Sequence, residues 1–380
     1  MVVSSDRPPT PNERIPHKTF EIPYKPGFIE DLMIRPALEE NKYKIGWNLL
    51  QVQLVMCESL LNSSDILWEF KSFDLIVFDS SGPCDVLVSQ FLDIPSVTVV
   101  IGPPNQAIST YHMVPLPVSY VPLRETGLPS KMTFVQRVVN FGMFIVTRFL
   151  LDLFVARSFD ALKAKFNIKP ERSFAEGLGD TELVIFVADF ALGFPQPLLP
   201  GWLNKLNRYN NHGPGHIMVG PITVQESEKL PPDFQEFVGD SGGYGFIMAS
   251  FGTYVESVIP KEKINMLATA FGKLKQKVLW RLKDYVPPSL SPSIKVVSWL
   301  PQNDLLAHKD IRAFVSHVGH NSLYESAYYG VPVVAVPLFA DQFLNAKKAE
   351  QFGLGIVVDY ETMDDEQLFG TIVRVVDEPR

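Results

Sequence analysis

Residues 311–337 read IRAFVSHVGHNSLYESAYYGVPVVAVP, and the order of patterns in this stretch decides the fold. Arg312 to Ser316 is a short apolar run, the length of a buried strand rather than of a helix. His317 to Gly319 turns the chain. His320 to Tyr329 has the length and composition of a helix, and Val331 to Pro337 returns to β-branched residues, a second strand. A strand, a glycine turn, a helix and a strand form a βαβ unit, which lays its two strands parallel.

The same beat extends outward in both directions. Downstream come a helix at Gln342–Phe352 and a strand at Leu354–Val358. Upstream come strands at Phe246–Ser250, Lys277–Arg281 and Ile294–Trp299, with a helix at Lys261–Gln276. An earlier series begins with a strand at Asp74–Phe78, a helix at Asp85–Leu92 and a strand at Ser96–Ile101. A proline- and serine-rich surface loop at 115–130, a helical stretch from Phe134 to about Phe166 and a strand at Glu182–Ala188 follow it. Residues 1 to about 70 read as a loop and then mixed helical segments. This alternation predicts an α/β chain of two doubly wound, Rossmann-like domains facing each other across a cleft. The stretch from Phe194, FPQPLLPGWLNKLNRYNNHGPGH, is crowded with proline, glycine and asparagine and reads as the connection. The expected division is 1–205, a linker at 206–240, and 241–380.

Composition narrows the partners. The chain has 380 residues, a net charge of -8 and no long basic run, which argues against nucleic acid. Cys57 and Cys84 show no metal-ligand spacing and no disulfide framework. The N-terminus is polar and proline-rich, without the apolar core of a signal peptide. The most apolar stretch, Phe141 to Val155, is interrupted by Arg148 and Asp152 and is too short to span a bilayer. It reads as a helix packed within the fold, in preference to one docked on a membrane surface. Asn62-Ser63-Ser64 is a glycosylation sequon, an acceptor only if that segment is lumenal.

In parallel α/β sheets, ligands sit at the carboxyl ends of strands, where helix N-termini present free N–H groups. After Ser316, Gly319 lets the backbone come close to an anion, and His317 and Ser322 add side-chain donors. Asn321 and Glu325 are four apart on one helix face, so Glu325 lies one turn beyond the phosphate cradle, where a carboxylate meets a ribose diol. Taken singly, His317 is a strand-end histidine bonded to backbone and Glu325 a solvated charge; together they describe a diphosphate–ribose site. Trp299 is either a platform for a planar base, with Gln302 at the base edge, or a core tryptophan. Asp341, Gln342 and Asn345 open the next helix with groups that suit a polyol, although Asp341 also fits an N-cap. The glycine-rich run Gly239 to Gly245 precedes a strand instead of following one, so it is no dinucleotide fingerprint. There is no P-loop, nucleophile elbow or zinc motif.

The text WLPQNDLL from Trp299, SHVGHNSLYES from Ser316 and GVPVVAVPLFADQFLN from Gly330 to Asn345 resembles the signature of the UDP-glycosyltransferases. The resemblance extends to Phe73–Pro83, Ala188–Pro200, Val219–Pro221 and Phe246–Tyr254, and is nearest the animal, glucuronosyltransferase-like branch. It implies a GT-B fold, with an acceptor domain followed by a UDP-sugar domain. By matching position, Trp299 stacks on uracil, Gln302 lies near base and ribose, and Glu325 binds the ribose hydroxyls. Ser250, Ser316, His317, Asn321 and Ser322 surround the diphosphate, with Gly252 and Thr253 at the neighbouring loop. Gly319 is the close-approach glycine, Arg281 a basic group beside the nucleotide, and Asp341 with Gln342 holds the sugar.

The resemblance further implies an inverting transfer to a hydroxyl of a small lipophilic acceptor, with no metal and no cofactor, the UDP-sugar being a co-substrate. Asp79 matches the aspartate that orients the general-base histidine. That histidine has no match here: His17 is not strand-flanked, and the chain starts after the expected position. The chain also stops before the family's closing helix and membrane anchor, so a fragment of a lumenal endoplasmic-reticulum membrane protein is the expectation. In the animal branch the turn is His-Gly-Gly where this chain has His317-Val318-Gly319. A silent UDP-sugar binder and a non-enzymatic α/β interaction protein are the alternatives.

Overall fold

The computed structural model describes residues 2–4, 17–25, 27–38, 42–79, 83–112, 114–123, 126–193, 215–255, 257–288 and 290–378. The chain forms two compact units, residues 1–28 with 41–220 and residues 29–40 with 221–380.

The second unit is built on a six-stranded parallel sheet. Its strands are β7 (Phe246–Ser250), β8 (Lys277–Arg281), β9 (Ile294–Val297), β10 (Ile311–Ser316), β11 (Val333–Ala335) and β12 (Gly355–Val357). The spatial order is β12-β11-β10-β7-β8-β9. The chain builds outward from β7 through β9, then crosses back to β10 and builds the other way. Both faces are covered, which is why these strands read as apolar runs without alternation. Alternate residues feed two different cores. Ile247, Ala249, Val278, Trp280 and Val315 pack on one face, Phe246, Met248, Leu279 and Phe314 on the other. The helices Lys261–Gly272 and Asp365–Asp377 lie together on the first face; the latter is started by Asp364, whose side chain accepts from the Gln367 N–H, and the sequence reading did not assign it.

The first unit carries four parallel strands in sequence order: β3 (Ile76–Asp79), β4 (Ser96–Ile101), β5 (Leu183–Val187) and β6 (Gly215–Met218). Val2–Ser4 (β1) and His17–Thr19 (β2) pair as a separate parallel ribbon, so the opening segment is not all loop and His17 does begin a strand. The loop at 115–130 is pinned by Asn140, which is fully buried, accepts from the Leu123 N–H and donates to the Val118 and Val121 carbonyls.

Three expectations are corrected. Cys57 and Cys84 are joined in a disulfide, with a Cα–Cα distance of 5.4 Å. Their separation of 27 residues hides this, because the bond depends on the helix Lys42–Asn62 packing against the helix Cys84–Leu92. The domain limits also differ. Residues 29–40 belong to the second unit, where Ile34 enters the core, and the connection contributes β6 to the first unit and the helix Pro232–Gly239 to the second. Residues 194–214 of that connection lie outside the described residues.

The third correction concerns the apolar stretch. It belongs to a 32-residue helix, Phe134–Lys165, started by a Thr133–Gln136 capping box and widened by a π turn at Leu151–Ala156. Arg148 and Asp152 do not break it; four apart, they pair with each other. It is the one helix among the described residues long and apolar enough to cross a membrane, and almost none of its apolar window is buried in the fold. Phe134 (81% exposed) and Phe149 (63%) stand clear of any core, so this is not a packed interior helix.

Candidate functional site

The site is set by the reversal of strand order. β7 and β10 are neighbours with Ser250 paired to Ser316, and the connections leaving these ends run to opposite sides of the sheet. Both ends turn the same way. The Ser316 hydroxyl accepts from the Val318 N–H at 3.0 Å, and the Ser250 hydroxyl accepts more weakly from the Gly252 N–H at 3.5 Å. Both serines are buried, so they shape the two loops as much as they line them.

His317 lies across both turns. A Cβ on Gly252 would stand 2.9 Å from its Nε2, and one on Gly319 2.8 Å, so a side chain at either position would displace the imidazole, and at Gly252 it would also meet a left-handed φ of +88°. Burial pulls the imidazole down to about 4, while Asp341 and the Ser250 backbone pull the other way. His317 is therefore neutral at pH 7, and its Nδ1 is buried without a partner. Val318 takes φ +51°, a left-handed conformation that a β-branched residue adopts only under strain. Gly319 then opens the helix His320–Tyr329 with no side-chain cap, leaving first-turn N–H groups beside the partly exposed Asn321 and Ser322.

One turn on, Glu325 is only 7% exposed, which overturns the solvated-charge reading. Its Oε2 accepts from Gln302 Nε2 at 2.6 Å, and the same nitrogen reaches the Ser322 hydroxyl at 3.3 Å. Burial pushes the carboxyl up; Gln302 and then Thr223 oppose the shift. Trp299 follows β9 and is 61% exposed, so it is not a core tryptophan. Arg281 ends β8 and donates to Thr253 Oγ1 at 3.2 Å and to the Ser298 carbonyl at 3.3 Å, tying the β7 loop to the segment that carries Trp299.

Asp341 and Gln342 separate in role. Asp341 makes no capping bond; its Oδ2 accepts from Asn345 Nδ2 at 2.7 Å, and Asn345 also donates to the Val318 carbonyl at 3.1 Å. Asn345 thus joins the two loops. Gln342 is buried, and its Oε1 accepts the Leu338 and Phe339 N–H groups at 2.8 and 3.1 Å. That oxygen closes the loop. Asp79 belongs to the first unit, exposed at the carboxyl end of β3.

Sequence reading missed two features. Lys348 is 1% exposed, and burial lowers its ammonium to about 8 against the pull of Asp341. The segment after Gly220 is strapped along the site: Asn303 exchanges bonds with the Gln225 backbone, Tyr329 donates to the Gln225 carbonyl at 2.7 Å, and Asp304 accepts from the Glu228 N–H at 2.7 Å. The strap brings Thr223 beside Glu325 without closing a fully aligned bond. Only distant pairing reveals it; a linker threonine carries no signal in sequence.

Residues 34–380 match the family model described as "UDP-glucoronosyl and UDP-glucosyl transferase". Human 2-hydroxyacylsphingosine 1-beta-galactosyltransferase is 31% identical over 325 residues, 85% of this chain and 57% of that protein. Human UDP-glucuronosyltransferase 1A6 is 32% identical over 341 residues, 89% of this chain and 61% of that protein. The chain thus spans about three fifths of the length of these curated relatives. In shape it is similar to Phytolacca americana UGT2, a structure with UDP-2fluoro-glucose and pterostilbene, at a TM-score of 0.57 and 19% identity, covering 95% of this chain and 77% of that one. The calicheamicin glycosyltransferase CalG4 is similar at 0.54 and 16%, covering 95% and 78%. With two parallel α/β units of the GT-B kind and a family match over nearly its whole length, this chain belongs to the UDP-glycosyltransferase family.

Proposed function

We propose that this chain is the greater part of an inverting transferase that passes a hexosyl or glucuronosyl group from a UDP-sugar to a hydroxyl of a small lipophilic acceptor. The buried Glu325 carboxylate carries the reading. Desolvating a carboxylate is costly unless something binds it, and here it sits one turn inside a helix that opens at the switch point. A ribose diol supplies the two donors that such a group accepts, and Trp299 offers the exposed face on which uracil stacks.

In this reading the uncapped first-turn N–H groups and neutral His317 hold the diphosphate, and Asp341 holds the sugar. As the acceptor oxygen bonds to the anomeric carbon, the carbon–oxygen bond to the diphosphate breaks and UDP leaves with the electron pair. The same donors stabilise its growing charge. Asp79 orients the histidine base that takes the acceptor proton, a base for which this chain offers no matching residue. The exposed apolar helix Phe134–Lys165 supports association with a membrane surface, and the disulfide supports a lumenal setting.

Titration calorimetry tests the site. Trp299→Ala and Glu325→Ala should each weaken UDP by about 1–3 kcal/mol. Asp341→Ala should weaken UDP-sugar binding and leave UDP nearly unchanged. Unaltered UDP affinity in folded Trp299 and Glu325 variants would remove the nucleotide assignment.

A further inference from the structure

The disulfide and the sequon share one helix. Cys57 and Asn62 both lie in Lys42–Asn62, the cysteine buried and the asparagine exposed at the last position. Asn62-Ser63-Ser64 is the one Asn-x-Ser/Thr sequence in the chain. The chain turns there: Ser63 leaves helical geometry at φ -83°, ψ 79° and its hydroxyl donates back to the Ser59 carbonyl at 2.9 Å. The middle residue of the triplet is thereby anchored. Asn62 and Ser64, the two residues a glycosylating enzyme must engage, stay at the surface.

The cysteines fix the compartment. A bond between the buried Cys57 and the half-buried Cys84 forms and persists in an oxidising lumen and not in a reducing cytosol. In a eukaryotic cell that lumen also holds the machinery that glycosylates exposed Asn-x-Ser/Thr triplets. We propose that Asn62 is an N-glycosylation site, modified in the compartment where Cys57 and Cys84 are joined. The Asn62 amide nitrogen bonds to the anomeric carbon of an oligosaccharide carried on a lipid diphosphate. The carbon–oxygen bond to the diphosphate breaks, the lipid diphosphate leaves with the electron pair, and the nitrogen gives up one proton. The assignment is independent of the transfer chemistry of the second unit. An exposed helix end accommodates a bulky glycan without disturbing the core.

The test is the full-length protein produced in eukaryotic cells, digested with peptide N-glycosidase and run beside undigested sample. One step of faster migration is expected, with position 62 deamidated on peptide mapping. Asn62→Gln and Ser64→Ala should both abolish the step, and Ser64→Thr should keep it, which separates the triplet's chemistry from any effect on folding. Non-reducing peptide mapping of the same sample reads the Cys57–Cys84 bond. An unmodified Asn62 in protein whose cysteines are bonded overturns the proposal, as do two free thiols with no glycan. A glycan on the peptide spanning position 62 that survives Asn62→Gln overturns it too.

Discussion

The two parallel sheets are made from the same kind of strand but end differently. In the six-stranded sheet the chain reverses direction between β7 and β10, and both faces are sealed by helices. In the four-stranded sheet the strands follow sequence order, and β3 at its edge leaves Val77 exposed (61%), as is Leu75 (47%) just before it. A reversal parts two neighbouring loops and opens a cradle between strand ends, so the binding position in the second unit is a property of the sheet itself. Without a reversal among the described strands, the first unit depends on the loops after its strands to shape a pocket, and such loops vary most readily. In the proposed reading, donor recognition is thereby fixed by topology, and acceptor recognition is left to loop sequence.

The largest effect that would sharpen this contrast is a split between transfer and binding. In a protein that supplies the general base, Asp79→Asn should lower transfer by roughly 10²-fold or more while UDP affinity in calorimetry stays unchanged. Equal loss of both would mean that the units do not divide the work this way.

Acid should separate the units next. In the first unit His112 and His216 are each pulled down to about 4 by burial, His112 also by its neighbour His216; in the second unit His317 is pulled down to about 4 and burial lowers His308 as well. Folded values below the ordinary 6.5 mean that the native state binds fewer protons than the unfolded one between about pH 4 and 6.5. The stability is therefore complete above about pH 6.5 and is lost as pH falls towards 4, by roughly 3 kcal/mol for His112 alone. Each unit also holds one buried carboxyl shifted upward, Asp85 and Glu325, which acts in the opposite sense. Hydrogen-exchange protection should thus fall earlier in β5 and β6 than in β7 and β10, and His112→Asn should flatten the difference. Equal loss in both sheets would contradict the burial argument.

The smallest effect concerns Val318. Replacing a buried valine by glycine removes apolar contacts, but at φ +51° glycine also relieves backbone strain of about 1–2 kcal/mol. Denaturant unfolding should show Val318→Gly costing less than Val315→Gly, a buried strand position, by about that amount. An equal cost would place no strain in the turn.

The strands and the cradle were legible because buried parallel strands leave continuous apolar runs and because His317, Gly319, Asn321 and Ser322 follow Ser316 closely in sequence. The reversal brings Ser250 beside Ser316, and the family resemblance alone anticipated that meeting. The loop-closing role of the Gln342 oxygen was not visible, because a side-chain amide at a helix start looks the same whether or not it folds back on Leu338 and Phe339. The Cys57–Cys84 bond, the strap beside Glu325 and the place of residues 29–40 were invisible for a common reason. Each is a contact between segments far apart in the chain, with no periodic pattern to announce it. The exposed helix was misjudged because a short apolar run reads the same whether it packs in a core or, as here, lies at the surface.

The short segment Ile29–Leu38, which seats Ile34 among the side chains of β7, β8 and β10, also sets a timetable. It leaves the ribosome roughly 200 residues ahead of the strands it covers. At about 5–20 residues per second it waits on the order of 10–40 s with its apolar side uncovered. Residues 41–220, the larger part of the first unit, are synthesised within that interval, so the nascent chain must fold one sheet while holding back a piece of the other. Chaperone dependence during translation should therefore follow the apolar character of Ile29, Met33 and Ile34 and not the stability of the finished protein.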